Sequence, residues 1–222
     1  MTIATQLNEL KANIPDSVKL IAVSKYHSAD TIMEAYNEGH RLFGESRVQE
    51  LVEKKELLPD DIEWHFIGHL QRNKVRDIVP FVSMIHGVDS LRLLREINKR
   101  AKQINKTIPC LIQLHIADES SKFGFSFDEC RELLASNEWS KFQHVKICGV
   151  MGMATFTDNE KQVKSEFKSL YRFFHEIKEQ YFTNDRFFCE VSMGMSQDYT
   201  LAIEEGSTMI RIGTAVFGER EY

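Results

Sequence analysis

Short apolar runs recur along the chain and alternate with stretches of helical periodicity. Eight of these runs have the length of single β-strands. We predict strands over residues 19–23, 41–43, 63–67, 83–88, 109–115, 145–151, 186–191 and 208–212. Each of the first seven runs is followed by a helical pattern, so the chain predicts regular alternation of strands and helices.

Helix start signals support this alternation. Asp89 is a candidate N-cap for the helix that follows the fourth run. Ser126 with Glu129, and Thr157 with Glu160, have the spacing of capping boxes, in which a hydroxyl and a carboxylate satisfy the first backbone N–H groups. Two further helices are therefore expected to begin at these positions.

Alternating strands and helices predict parallel pairing with right-handed crossovers. Eight such units, preceded by an extra helix over residues 2–13, predict a single (β/α)8 TIM barrel domain over residues 1–222. A doubly wound open sheet is the alternative, and it usually has a glycine-rich loop after its first strand. Here Ser24, Lys25, Tyr26 and His27 follow that strand, which favours the barrel.

Composition narrows the class of protein. A net charge of −5, without a cluster of Lys and Arg, argues against a nucleic-acid partner. No run approaches the 18 apolar residues of a membrane span, and residues 1–11 lack the apolar core of a signal peptide. The four cysteines, Cys110, Cys130, Cys148 and Cys189, form no CxxC pair. We expect buried, reduced thiols in a cytoplasmic protein.

Lys25 is the first candidate for chemistry, because active sites of such barrels lie at the carboxyl ends of the strands. Strand alternation places it on the same side as Ile21 and Val23. An ammonium that faced the packed helices would be unpaired, so we expect Lys25 to face the barrel mouth. A lysine there can attack an aldehyde as a neutral amine. A solvated lysine at a strand end is the alternative.

The loops after the seventh and eighth strands are the usual phosphate site of barrel enzymes. Here they contain Ser192, Met193, Gly194, Met195 and Ser196, and then Arg211, Ile212, Gly213 and Thr214. The first loop precedes a short helix, so its backbone N–H groups are expected to converge on an anion. Tight turns that need glycine are the alternative explanation.

Arg211 alternates with Ile210 and Ile212 and so points away from them. If the isoleucines pack on helices, the guanidinium projects into the barrel. There it needs an acceptor, either a carboxylate such as Glu190 or an atom of a ligand.

Four histidines offer a different chemistry. His65, His86 and His115 lie on the third, fourth and fifth predicted strands, and His69 follows four residues after His65. Such residues can build a metal site at a barrel mouth. No carboxylate is clearly placed to join them, so a metal-dependent hydrolase is a minor alternative.

Five sequence blocks, in order along nearly the whole chain, resemble the pyridoxal phosphate homeostasis protein family, also called the YggS-like proteins. The blocks are Val23-Ser24-Lys25-Tyr26, Phe43-Gly44-Glu45-Ser46, Trp64-His65-Phe66-Ile67-Gly68-His69-Leu70-Gln71-Arg72-Asn73-Lys74, Ser192-Met193-Gly194-Met195-Ser196 and Arg211-Ile212-Gly213-Thr214. The resemblance implies the barrel of the N-terminal domain of alanine racemase, with pyridoxal 5′-phosphate (PLP) bound as a Schiff base to Lys25.

The resemblance also implies roles for the other residues of these blocks. The stretch from Ser192 to Ser196, with Gly213 and Thr214, would hold the phosphate, and Arg211 would face the pyridine nitrogen. Three positions depart from the family pattern. Ser46 stands where Asn is common, His69 where Pro is common and Arg72 where a small residue is common. The resemblance implies that position 46 contacts the aldehyde side of PLP, so the serine at this position affects these contacts.

Three functions follow, and the first is favoured. The resemblance implies a PLP carrier that buffers PLP and delivers it to PLP-dependent apo-enzymes through transient contacts, without turnover. A PLP-dependent amino-acid racemase and a metal-dependent hydrolase are the alternatives. Racemisation needs a second base. In alanine racemase that base comes from a second domain, whereas this sequence ends at Tyr222. Tyr26 points away along the expected extended strand. We therefore expect a monomeric, non-catalytic protein.

Overall fold

The computed structural model describes residues 2–118 and 123–218, and within them eight parallel strands form a closed barrel. Each strand pairs with the next one along the chain, and the eighth pairs with the first. The strands are Lys19–Val23 (β1), Leu42–Glu45 (β2), Glu63–Phe66 (β3), Met84–Val88 (β4), Ile108–Gln113 (β5), Val145–Met151 (β6), Glu190–Ser192 (β7) and Met209–Ile212 (β8). The predicted TIM barrel is confirmed, and the open sheet is excluded.

Helices surround the barrel between successive strands. Those in the described residues are Ile3–Asn13 (α1), Ala29–Asn37 (α2), Val48–Leu57 (α3), Val75–Ile78 (α4), Leu91–Gln103 (α5), Phe127–Ala135 (α6), Glu160–Tyr181 (α7), Tyr199–Glu204 (α8) and Thr214–Phe217 (α9). Two short 3-10 turns, Arg72–Lys74 and Trp139–Lys141, accompany them. The extra N-terminal helix is confirmed as α1, and it packs against α9.

One predicted helix cap is confirmed, and one lies a residue later than expected. The Ser126 hydroxyl accepts the Glu129 N–H, and the Glu129 carboxylate accepts the Ser126 N–H, so the capping box of α6 is present. Ser90, rather than Asp89, caps α5 by accepting the Leu93 N–H. Asp89 is engaged elsewhere, because its carboxylate pairs with a histidine ring across the loop.

Two other boundaries were predicted too early. Asn159, rather than Thr157, caps α7, because the Thr157 hydroxyl accepts the Asn159 N–H in the turn before the helix. Strand β7 begins at Glu190 rather than at residue 186. The Asp185 carboxylate accepts the Phe187 N–H there, and this turn delays the strand.

Alternate strand residues divide the core into two layers. Outward-facing side chains such as Phe43, Trp64 and Phe66 pack under the helices. A small inner cluster fills the barrel and consists of Met84, Leu111, Cys148, Met151 and Met209. Polar side chains can therefore gather in the barrel only away from this apolar plug.

The cysteines differ from the prediction at one position. Cys110, Cys130 and Cys148 are buried, as expected, but Cys189 is exposed. It lies in the turn before β7, where its thiol donates to the Phe187 carbonyl. Within residues 2–118 and 123–218, no helix combines the length and the apolar character needed to cross a bilayer.

Candidate functional site

A cavity of about 800 Å³ opens at the carboxyl ends of the barrel strands. Seven of the ten residues predicted for the site line it: Lys25, Ser46, Met195, Ser196, Arg211, Gly213 and Thr214. They come from the ends of β1, β2, β7 and β8, which are far apart in sequence. Barrel closure places β8 beside β1 and so brings the lysine and the two glycine-containing loops to one opening.

The other three predicted residues lie behind this lining. Met193 is completely buried, and its N–H donates to the Met209 carbonyl. Gly194 has a φ of 97°, and a Cβ there would come within 2.7 Å of the Ala202 Cβ. Glycine is thus required where the loop presses on α8. The Ser192 side chain is also fully buried, and it bonds inside the barrel.

Lys25 lies in a tight turn, not at the end of a straight extended segment. The Ser24 carbonyl accepts the His27 N–H at 3.1 Å and closes the turn. Tyr26 has a φ of 71°, in the left-handed region that non-glycine residues seldom adopt. The expectation that Tyr26 continues an extended strand is therefore wrong. The turn presents Lys25 to the cavity and leaves Tyr26 half exposed.

The loops after β7 and β8 offer hydrogen-bond donors to an anion. Within the described residues, the backbone N–H groups of Ser196 and Thr214 make no hydrogen bond, and both residues line the cavity. The Gly213 N–H meets the Ser196 hydroxyl at 3.3 Å, while the Met195 N–H donates to the Asp198 carboxylate at 2.6 Å. Unpaired N–H groups beside a cavity suit a phosphate or carboxylate.

Arg211 projects into the barrel as predicted, since Ile210 and Ile212 belong to the outer core. Its guanidinium donates to the Ser192 hydroxyl at 2.6 Å and to the Gly152 carbonyl at 3.0 Å. Neither acceptor is a carboxylate, because Glu190 pairs with Lys19 instead. Burial lowers the pKa of Arg211 to about 10, which still leaves it protonated at neutral pH.

A chain of buried hydrogen bonds continues behind Arg211. The Ser192 hydroxyl lies 3.0 Å from His86 Nδ1, and His86 Nε2 lies 2.9 Å from His65 Nδ1. Arg211 can only donate to Ser192, and the hydroxyl retains one proton and a second lone pair for His86. The donor and acceptor roles of His86 and His65 along the chain are set by their tautomers. The chain fixes the orientation of Ser192 and, through it, of the guanidinium.

Burial keeps both histidines of this chain neutral. It lowers the pKa of His65 to about 3 and the pKa of His86 well below its usual value. From the sequence, these histidines were considered as metal ligands. The alternation of side chains along β3 and β4 already indicates that both histidines point into the barrel. Among residues 2–118 and 123–218, no group of three or more His, Cys, Asp or Glu side chains is arranged to hold a metal ion.

The depressed pKa of His65 predicts loss of stability in acid. Between pH 6.5 and about 3 the unfolded chain binds a proton at His65 and the folded chain does not, so the free energy of unfolding falls as the pH drops. The loss reaches on the order of 4 kcal/mol at the lower limit. Urea unfolding at several pH values measures it. His65→Gln, which keeps a hydrogen-bond partner for His86, should make the free energy of unfolding fall less steeply as the pH drops below 6.5.

His175, exposed on α7, provides the matched control for this measurement. His175→Gln should retain the wild-type pH dependence. If the free energy of unfolding falls equally with pH in the wild-type protein and in His65→Gln, His65 is not held neutral.

The two unusual residues after β3 do not line this cavity. His69 pairs with Asp89 at 2.9 Å and lies against the Phe123 ring. With Arg72 it lines a separate depression of about 780 Å³ beside α5. The third unusual residue, Ser46, does line the cavity.

Comparison with known proteins identifies the family. Residues 2–221 match the model of the alanine racemase N-terminal domain. A pyridoxal phosphate homeostasis protein of Aquifex aeolicus is 39% identical over 206 residues, which cover 92% of this chain and 88% of that protein. The solved structure of PipY from Synechococcus elongatus PCC7942 with PLP bound is 37% identical, with a TM-score of 0.88 over 97% of this chain and all of that one.

A more distant similarity concerns the fold alone. An alanine racemase of Clostridium difficile 630 is 15% identical, with a TM-score of 0.77 over all of this chain and 56% of that chain. The sequence resemblance is thus confirmed by three kinds of comparison: a family model, curated relatives and solved structures. The chain belongs to the alanine racemase N-terminal domain family and, within it, to the pyridoxal phosphate homeostasis proteins.

Proposed function

We propose that the protein binds PLP at the barrel mouth and acts in PLP homeostasis, buffering the cofactor and delivering it to other proteins. One observation carries the proposal: Lys25 lines the same cavity as Ser196 and Thr214, whose backbone N–H groups find no partner in the described part of the chain. A lysine amine and an anion cradle are the two groups that an aldehyde bearing a phosphate requires. The relationship to PipY, whose structure contains PLP, supports the same ligand.

The residues present fit PLP in size and in chemistry. The cavity volume of about 800 Å³ lies within the range of small-molecule sites. PLP, when bound, supplies an aldehyde that condenses with an amine. Lys25 provides the amine. The phosphate would be held by the N–H groups of Ser196 and Thr214, with the Ser196 hydroxyl and Gly213 beside them. Ser46 lines the cavity, and the resemblance implies that it lies at the aldehyde side.

Arg211 suits storage of the cofactor better than catalysis on it. The resemblance places its guanidinium opposite the pyridine nitrogen. A guanidinium donates a hydrogen bond and keeps its own proton at neutral pH, so the nitrogen would stay unprotonated. An unprotonated ring withdraws electrons weakly from a substrate carbanion. The neutral chain of Ser192, His86 and His65 behind Arg211 supplies no proton to change this.

Racemisation requires one base on each face of the substrate α-carbon, and in alanine racemase the second base comes from another domain. No tyrosine is among the described residues that line the cavity. His27 lines it, as do the carboxylates of Asp158, Glu160 and Asp198, of which Asp198 accepts the Met195 N–H. On the basis of Arg211, we propose a carrier without turnover that works as a monomer through transient contacts with PLP-dependent apo-enzymes.

A paired experiment separates the carrier from the racemase. The PLP-loaded protein should restore activity to a PLP-free transaminase. In deuterated water with L-alanine, it should produce neither α-deuteration nor the D-isomer. Turnover at about 1 per second or faster, the ordinary range of enzymes, would establish the racemase instead. Retention of PLP in the presence of excess apo-transaminase would contradict delivery.

A further inference from the structure

Three charged side chains on β2 and α3 surround the turn that carries Lys25. Glu45 ends β2, while Glu50 and Lys54 are one helical turn apart on α3. The Lys54 ammonium lies 2.6 Å from Glu45 Oε1 and 3.3 Å from Glu50 Oε2. Glu45 and Lys54 are buried and Glu50 is partly exposed. We call Glu45, Glu50 and Lys54 the clamp.

The clamp holds the peptide groups on both sides of the Lys25 Cα. Lys54 Nζ donates to the Ser24 carbonyl at 2.8 Å, which is the oxygen of the peptide preceding Lys25. Glu50 Oε2 accepts the Tyr26 N–H at 2.9 Å, which belongs to the peptide following Lys25. Both peptides next to Lys25 are thus bonded to side chains of α3. The backbone dihedral angles of Lys25 cannot change much without breaking one of these hydrogen bonds.

The turn needs such support because of its backbone conformation. Tyr26 adopts a φ of 71°, which suits glycine or asparagine at the third position of a reverse turn. A non-glycine residue keeps a left-handed conformation only where its surroundings enforce it. Here the Ser24 carbonyl accepts two bonds, from Lys54 and from the His27 N–H, while Glu50 holds the Tyr26 N–H.

The stability of the fold does not explain why the charges of the clamp are buried. A buried ion pair rarely stabilises a fold more than a well-packed apolar pair of the same size. Glu45 Oε2 is buried without a hydrogen bond in the described residues, so the group is not even fully satisfied. Besides pairing with one another, each of the three side chains bonds to Ser24 or Tyr26. Positioning of the turn accounts for this arrangement.

We propose that Glu50 and Lys54 are positioning residues that hold the Lys25 amine in the orientation needed to condense with an aldehyde at the barrel mouth. In this condensation Lys25 forms a C=N bond and the carbonyl oxygen leaves as water, so no further reactant is required. The proposal rests on the proposed function, since it assigns these two residues to the same site.

The test compares two probes, PLP and pyridoxal, which share the aldehyde and differ in the phosphate. Glu50→Ala removes the acceptor of the Tyr26 N–H at a partly exposed position, so the fold should survive. We expect about 10-fold weaker binding of both probes and an unchanged ratio between them, because the hydrogen bond to a charged acceptor no longer holds the turn in the conformation that condenses. Glu50→Gln, whose amide oxygen can accept the same N–H, should recover most of the affinity.

Matched controls come from the same helix. Glu53 is exposed on α3, and Glu53→Ala should bind both probes like the wild-type protein. Lys54→Met should weaken both probes as Glu50→Ala does, whereas Lys55→Met, which removes a surface lysine paired with Asp60, should not. If Lys54→Met fails to fold, Glu50→Ala and Glu50→Gln still decide the question.

A second readout needs no aldehyde at all. Amide hydrogen exchange at Tyr26, followed by NMR, should be slow in the wild-type protein and in Glu50→Gln, and fast in Glu50→Ala. Wild-type affinity for both probes together with slow exchange in Glu50→Ala would overturn the proposal, as would a loss confined to PLP. If the wild-type protein condenses with neither probe, the proposed function fails, while the exchange rates still show whether the clamp holds the turn.

Discussion

Lys25→Ala is expected to abolish the Schiff-base absorbance of the PLP-loaded protein while leaving the barrel folded. Lys25 lies at the cavity wall with its side chain partly exposed, so its removal leaves no hole in the core. It is also the only lysine among the described residues that line the cavity. Lys25→Arg should have the same effect, because a guanidinium keeps the positive charge but cannot condense at neutral pH.

Absorbance spectra of the two variants, recorded after addition of PLP, measure this effect, and circular dichroism checks the fold. Lys11→Ala, at an exposed position of α1, is the matched control and should keep the full absorbance. A borohydride-reducible species in Lys25→Ala, with wild-type intensity and affinity, would show that another lysine holds the aldehyde.

The phosphate cradle should make PLP bind at least about 100-fold more tightly than pyridoxal. Two N–H groups, those of Ser196 and Thr214, lie unpaired at the cavity within the described residues. Charge-assisted hydrogen bonds contribute about 1.5–3 kcal/mol each, and about 1.4 kcal/mol corresponds to tenfold in affinity. Titration of the protein with each compound gives the ratio directly.

Gly213→Val should reduce the ratio of the affinity for PLP to the affinity for pyridoxal towards one. A Cβ at Gly213 would lie 3.4 Å from the Val23 carbonyl oxygen, an ordinary contact, so the backbone has room for a Cβ there. The added methyl groups would occupy the cavity beside the Ser196 and Thr214 N–H groups. Gly213→Ala should give an intermediate ratio. Equal affinities of the wild-type protein for PLP and pyridoxal would exclude the phosphate site.

The fold could be predicted because its signals are local. Each strand of the barrel is an apolar run beside a helical pattern. Strand alternation correctly predicted that Arg211 points into the barrel and that Ile210 and Ile212 point outward. The barrel then places all strand ends at one face, so the grouping of Lys25 with the loops after β7 and β8 followed from chain order alone.

The contacts that orient the site were not predictable in this way. The bonds between His65 and His86 and between His86 and Ser192 depend on how neighbouring strands are staggered, which no local pattern encodes. The spacing of Glu50 and Lys54 indicates a helical ion pair, but their bonds to the turn around Lys25 join segments that only folding brings together. Local patterns predicted which residues reach the mouth and left open which partners hold them.

The three departures from the family pattern illustrate the same limit. His69 and Arg72 change the depression beside α5, and they leave the lining of the main cavity as it is. Ser46 remains in that lining at the end of β2. Of the three departures, the one at Ser46 is thus the one that changes the lining of the main cavity.

We propose above all that Lys25 is the residue that carries PLP. The most direct measurement is borohydride reduction of the PLP-loaded wild-type protein, followed by proteolysis and mass spectrometry of the peptides. We expect one pyridoxyl group per chain, attached to Lys25, with loss of the visible absorbance on reduction. Modification of a different lysine, or no stable modification after reduction, would contradict it.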